Sequence, residues 1–285
     1  MSILNSIIQA ILQSVFEILP LSESAHSSAF HEFAGRADGS VSALTGIIHI
    51  AIGVGIILAT YNVFSKLTVE FFRTFSDIFK KNIKGSSKRP VRRFMYFTLV
   101  SFVPLLLWLI PFGDAGFLYT VLHRTSYNGT LLDEGIFLLI TGGVVLAAAR
   151  QLSLSRNDGD VNIGLAVFAG FICLFTVPVA GFSLIAVIFS MMVLLGVSRR
   201  PALRYALTVA APILLVLGIV ETCIGTSVGW IEGILGAVLG VVVSFVFVRV
   251  LRFIIKKGYY KYFGIYDMGV GVIIAVVGIF QLALN

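Results

Sequence analysis

The sequence predicts an all-α integral membrane protein with six transmembrane helices and two re-entrant helical hairpins, arranged as an inverted repeat. Three observations lead there. First, 58% of the residues are hydrophobic, 12% are charged and the mean hydropathy is +1.00, whereas soluble domains carry about 25% charged residues. Second, six apolar runs approach the ~20 residues that an α-helix needs to cross a bilayer, and two further runs of comparable hydrophobicity are interrupted by proline and polar residues. Third, the basic residues gather in alternate connections. The net charge of +7 is therefore a topology signal and not a nucleic-acid footprint.

The chain reads as a single membrane domain. Residues 2–34 form an apolar run broken around Pro20–Ser28 and are expected to be the first hairpin. The opening MSILNSIIQAILQ lacks a basic leader and a small-residue cleavage site, so it is expected to belong to the mature fold. Three spans follow, at Ser42–Phe64, Phe94–Pro111 and Gly135–Ala149. The second hairpin is expected over 162–195, broken around Pro178–Ser183. Three more spans lie at Ala202–Val220, Val228–Val248 and Gly264–Leu284. A hairpin returns to the side it entered and three spans change sides. Residues 162–285 should then be inverted relative to residues 1–150, the arrangement of many transporters. Pro20, Ser22 and Ser24 of the first break answer Pro178, Gly181 and Ser183 of the second.

With the Lys66–Arg93 loop in the cytoplasm, only Arg36 and Arg124 among the 21 Lys and Arg residues fall outside. The positive-inside rule supports that orientation. Both termini then face outward, the first hairpin enters from outside and the second from the cytoplasm, and their tips should meet near the midplane. Asn128-Gly129-Thr130 matches a glycosylation sequon too common to weigh. Cys173 and Cys223 fit neither a disulfide framework nor a metal site. Gly142-Gly143 and the Gly236, Gly240 pair suggest close helix packing.

The stretch Gln13–His26, QSVFEILPLSESAH, carries the chemistry. Polar groups at membrane depth are costly and mark functional paths. Broken half-helices point backbone N–H groups at the space between them and favour anions. Ser22, Ser24 and Ser183 add hydroxyls, which also repair broken backbone. Glu17 offers a base or a metal ligand, and His26 an acid or base. His49, about two turns into the first span, either joins this site or is hydrogen-bonded between helices. Such a pocket suits a phosphate on an apolar tail.

With these residues in place, the chain resembles the undecaprenyl-diphosphate phosphatase family, the bacitracin-resistance (BacA-type) membrane proteins, nearly end to end. The family motif E-x-x-x-E-F-L-P-[VI]-S-S-[TS]-G-H lies over Gln13–His26, and P-G-x-S-R-S over Ala180–Ile185. Smaller elements match at His49-Ile50-Ala51, Val103-Pro104, Gly196–Arg199, Tyr205–Pro212 and Phe263–Asp267. The resemblance implies a multi-pass plasma-membrane protein that handles a polyprenyl (di)phosphate carrier lipid, hydrolysing undecaprenyl diphosphate to the monophosphate and phosphate. It makes Glu17, Ser22 and His26 the candidate catalytic residues, and Gln13, Glu23, Ser24, His49, Gly181 and Ser183 the candidate substrate-binding residues.

The departures have a direction. Gln13 replaces a glutamate, Glu23 a serine, Ala25 a glycine, Ala180 a proline, Leu184 an arginine, Ile185 a serine and Asp267 a second arginine. The pocket moves toward negative charge. Losing an arginine removes charge-assisted contacts of about 1.5–3 kcal/mol each. The expectation is a weakened diphosphatase, rescued where Glu17 and Glu23 gather Mg²⁺ or Ca²⁺. The alternatives are a non-catalytic polyprenyl-phosphate binder or lipid transporter, and a cation- or proton-coupled carrier using Glu17, Glu23, His26 and His49. The expected partners are the lipid and the bilayer, with no nucleic acid. Both a monomer and a homodimer stay open.

Overall fold

The computed structural model describes residues 3–33, 42–79, 89–126, 130–154 and 158–284. The centre of the basic loop, Arg36, Arg156 and the start of the sequon lie outside these residues. The described chain is all helical apart from isolated bridges: α1 (Ile3–Ile18), α2 (Glu23–Phe33), α3 (Ala43–Ala59), α4 (Tyr61–Phe79), α5 (Pro90–Phe102), α6 (Leu118–Ser126), α7 (Leu132–Leu154), α8 (Ile163–Thr176), α9 (Leu184–Leu194), α10 (Arg199–Ile224), α11 (Trp230–Lys257) and α12 (Tyr260–Leu284). A 3₁₀ stretch, Pro104–Leu109, extends α5 to a 20-residue apolar span. That span, α7, α10, α11 and α12 are each long and apolar enough to cross a membrane, and the bent pair α3–α4 supplies a sixth candidate. The chain is a multi-pass membrane protein.

The helices present a hydrophobic exterior and a partly polar interior. On α1, Ser6, Ala10, Gln13, Ser14 and Ile18 are buried, while Ile3, Leu4, Ile8, Ile11 and Leu12 face outward. Spacing of three and four residues places the buried set on one face. In lipid this is the stable orientation, because apolar side chains gain nothing by leaving the acyl chains and polar ones do.

α3 lies between α10 and α11, α12 runs along α7, and α1 lies on α11. Small residues permit the closest approaches. A Cβ on Gly46 would sit 2.5 Å from the Thr222 backbone nitrogen, and one on Gly218 would sit 2.5 Å from the Gly46 carbonyl oxygen. Gly236, Gly240 and Gly142 also face a neighbouring helix closely, but Gly143 has no atom within 4 Å of a Cβ position. Adjacent glycines point about 100° apart on a helix, so only one of that pair can face α12.

Several spans run a few residues longer than expected, as Trp230–Lys257 does against Val228–Val248, and one region differs in kind. The Ser42–Phe64 span ends at Ala59, and the chain turns 91° into α4. The expected basic loop is in its first half this amphipathic helix, with Phe71, Phe72, Phe75 and Phe79 exposed on it. Bulky aromatics on one face and charges on the other suit a helix to the membrane interface, and within the bent pair α3 is the more apolar arm. Arg92 fastens it. Its Nε donates to Glu70 at 2.6 Å and its Nη2 to Asp77 at 2.8 Å, with the guanidinium side chain 2% exposed.

Both broken runs form helix pairs. The first breaks at 19–22 between α1 and α2, and the second at 177–183 between α8 and α9. Pro20 disfavours helical backbone at Leu19. Gly181 has φ +98, a left-handed value that a side chain rarely adopts.

Candidate active site at the meeting of the two breaks

The two breaks touch. The Gly181 N–H donates to Ser24 Oγ at 3.0 Å, and Thr141 Oγ1 of α7 donates to the Gly181 carbonyl at 3.2 Å. Gly181 is pressed against α7: a Cβ there would lie 2.6 Å from the Glu134 carbonyl oxygen. Ser22, which is fully buried, caps α2 by accepting the Ala25 N–H at 3.2 Å, and its hydroxyl lies 3.1 Å from that of Ser24. Both serines thus satisfy backbone donors that the breaks would strand.

Ser183 differs. It occupies the N-cap position of α9, makes no side-chain capping bond, is 3% exposed, and its hydroxyl has no partner among the described residues. The first turn of α9 leaves backbone N–H groups unpaired as well. An orphan hydroxyl beside an uncapped helix start can receive an anion. Leu184, where the family motif has arginine, is 6% exposed and belongs to the same apolar cluster as Ile18, Leu19 and Leu21.

The carboxylates collect on the other side of the break. Glu17 from the end of α1, Glu23 from the start of α2 and His49 from α3 each offer one ligand atom, all within 4.8 Å of one another. His49 is held from behind: its Nδ1 lies 2.5 Å from Glu221 Oε2. When Nδ1 carries the proton shared with Glu221, the lone pair is on Nε2, the ring orientation seen in metal-bound histidines backed by a carboxylate. The donor set of two carboxylates and one imidazole therefore fits a divalent cation. Its oxygen-rich part suits Mg²⁺ or Ca²⁺, and its imidazole extends the range to transition ions.

His26 stands apart from this group. Its Nδ1 is 2.7 Å from the Ser22 carbonyl and its Nε2 is 3.0 Å from the Tyr266 hydroxyl, with the ring stacked between Phe16 and Tyr266. A carbonyl only accepts, so Nδ1 carries the proton, and Nε2 accepts from Tyr266. Gln13 is buried and turned to α3, donating to the Thr45 carbonyl at 3.4 Å. Asp267 is fully buried on α12, and both of its carboxylate oxygens lack partners among the described residues.

Three contributors were not singled out from the sequence. Glu221 falls one residue beyond the expected end of its span; an acidic residue closing an otherwise apolar run was the available signal. Tyr266 is the tyrosine of the element matched at Phe263–Asp267, but its place beside His26 shows only once α12 is packed; Glu134 carried no signal and gains meaning only from what α7 packs against. α6 packs against the 3₁₀ stretch Pro104–Leu109 and places Tyr119 and His123 within electrostatic reach of Glu221. Burial, with Glu221 adding, pushes the Tyr119 phenol up to about 12. Burial holds the His123 imidazole below its ordinary value, with Glu221 opposing.

The family model of the bacitracin resistance protein BacA matches residues 6–273. The chain belongs to the BacA family. Curated relatives agree along the same length. An undecaprenyl-diphosphatase of Methanosphaera stadtmanae is 27% identical over 231 residues, covering 78% of this chain and 77% of the relative. One of Alkaliphilus metalliredigens is 23% identical over 283 residues, covering 96% and 98%. One of Bifidobacterium longum is 25% identical over 311 residues, covering 97% and 94%.

Proposed function

We propose that this BacA-family protein hydrolyses a polyprenyl diphosphate carrier lipid, of the undecaprenyl class, to the monophosphate and inorganic phosphate. In this reading a divalent cation does the charge work that the family arginine does elsewhere. The observation that carries it is the grouping of Glu17, Glu23 and His49 with Glu221 behind. Three carboxylates beside one imidazole repel a diphosphate unless a cation stands between them. Bound there, a cation would neutralise diphosphate oxygens and polarise the phosphorus for attack.

The chain's own groups divide the remaining work. Ser183 Oγ and the N–H groups of the first turn of α9 hold the terminal phosphate. Ser24 ties the first break to Gly181 of the second, and Ser22 caps α2 and holds Ser24 in place. Water attacks the terminal phosphorus, the phosphoanhydride P–O bond breaks, and the lipid monophosphate leaves. His26, whose Nε2 carries the lone pair, takes the proton from water once the Tyr266 hydroxyl turns aside. Glu221 positions His49.

A second reading rests on Leu184. Its place in the apolar cluster removes the bidentate clamp, and a site without it could bind the lipid and move it between leaflets without cleavage. One assay separates the two. Purified protein given undecaprenyl diphosphate with Mg²⁺ or Ca²⁺ should release phosphate, and Glu17→Gln should lower release by ~10²-fold or more, as losing an electrostatic catalytic group does. No release above the Glu17→Gln background, together with protein-dependent lipid movement in proteoliposomes, would establish the binder instead.

A further inference from the structure

A cavity lies at the basic end of the molecule, away from the candidate active site. Arg204, on its rim, and Glu221, at the candidate active site, are 17 residues apart on α10, or about 25 Å along the helix. The cavity has a volume of about 390 Å³ and is walled by the first turns of α4, by α5, by Asp160 and Val161 ahead of α8, and by Arg204. That is within the range of small-ligand sites, ~300–1,000 Å³.

Its charge is unbalanced. Lys66, Arg93 and Arg204 line it against the single carboxylate of Asp160, an excess of two positive charges. Asp160 is partly engaged, since its Oδ1 accepts the Val161 N–H at 2.8 Å. The nearby carboxylates Glu70 and Asp77 are taken up by the buried Arg92. Among the described residues no acidic group lies within ion-pair distance of Lys66, Arg93 or Arg204. The two arginines rest instead on aromatic faces, Arg93 5.8 Å from the Phe97 ring centroid and Arg204 4.8 Å from that of Phe94. Stacking fixes the direction of a guanidinium while leaving its N–H groups free to donate.

We propose that this cavity binds a phosphate group, either as the headgroup of an anionic lipid in the adjoining leaflet or as free inorganic phosphate. Three cations of different reach from α4, α5 and α10 converge on one space, which suits the three-dimensional array of oxygens on a phosphate. The wall also contains Phe94, Phe97 and Leu67. The exposed phenylalanines of α4 continue from there along the membrane surface, where acyl chains would lie. The buried Arg92 pair holds α4 in position and so builds the wall without spending any of the three lining cations.

The test is native mass spectrometry of the full-length protein in neutral detergent, with phosphatidic acid, phosphatidylcholine and inorganic phosphate as probes. Phosphatidic acid should be retained in preference to phosphatidylcholine. The triple variant Lys66→Gln/Arg93→Gln/Arg204→Gln should lose on the order of 10-fold or more in affinity, as removal of charge-assisted contacts does. The variant Arg93→Lys/Arg204→Lys should retain part of the binding, and unchanged melting temperatures without added lipid would confirm that both variants are folded. Retention that millimolar phosphate does not displace identifies the lipid headgroup as ligand, whereas binding of phosphate alone that the triple variant abolishes identifies the free ion. Equal retention of phosphatidic acid by wild type and triple variant, or no binding of either anion, overturns the proposal. Phosphate release from the lipid diphosphate is read separately, so failure here leaves the hydrolase reading untouched, and the reverse.

Discussion

At the scale of single residues the site is a contest between charge and desolvation. Glu17, Glu23 and His49 come from three helices to within 4.8 Å, and ionisable groups at membrane depth persist only where they face partners or a function. Glu17 and His49 were legible in the sequence because nothing in an apolar helix calls for them. Glu23 was legible as the second carboxylate of the same polar run, and then as a departure from the family motif at a position where a hydroxyl is usual. The role of Glu221 became visible only when α10 was packed on α3. Its Oε2 lies 2.5 Å from His49 Nδ1. Glu221→Gln keeps the shape and removes the charge. If the proposed divalent cation binds here, the substitution should weaken the apparent affinity for that cation by about 10–100-fold, the ordinary cost of losing a carboxylate behind a ligating histidine. Activity titrated against metal concentration measures this, and an unshifted metal curve would count against the grouping.

At the scale of elements, proline, glycine and serine decide where the chain turns inside the membrane. The breaks at 19–22 and 177–183 were foreseeable from Pro20, Pro178 and the hydroxyls beside them. The 91° turn at Thr60 was not. The run through Phe64 stays largely apolar, and only the later alternation of aromatics and charges marks α4 as an amphipathic helix distinct from α3. What holds α4 down is long-range and therefore invisible in a local pattern: Arg92, 22 residues from Glu70, donates to it at 2.6 Å. Removing one partner of a buried ion pair strands the other's charge. Arg92→Ala should therefore free α4, read as faster proteolytic cleavage between residues 61 and 89 with the rest of the molecule intact. Cleavage at the wild-type rate would show that the exposed phenylalanines alone hold the helix in place.

At the scale of the whole molecule, hydropathy pointed to the five helices that are long and apolar enough to cross a membrane and to the first arm of the bent pair, because a spanning segment must satisfy its backbone internally and present apolar side chains to lipid. The orientation came from the placement of Lys and Arg, and the inverted repeat is proposed from the order of hairpins and spans. That proposal places Trp230 outside and Lys257 in the cytoplasm. In a background with Cys173 and Cys223 replaced by serine, a membrane-impermeant maleimide added to intact cells should label Trp230→Cys and leave Lys257→Cys unlabelled; the opposite pattern would reverse the topology. The same arrangement explains why the site is only half legible. One half, Gln13–His26, is one continuous stretch. Its other half depends on how α9 and α12 meet that stretch, and there Leu184 and Asp267 stand where the family motif has arginines. The account accordingly turns on whether a cation replaces the arginine. The direct measurement is phosphate release from undecaprenyl diphosphate by wild type and by Leu184→Arg/Glu23→Ser, each with Mg²⁺ or Ca²⁺ and again after chelation. The account predicts that chelation abolishes release by the wild type and spares more of the activity of the double variant. Wild-type release that is robust and unchanged by the chelator would contradict it.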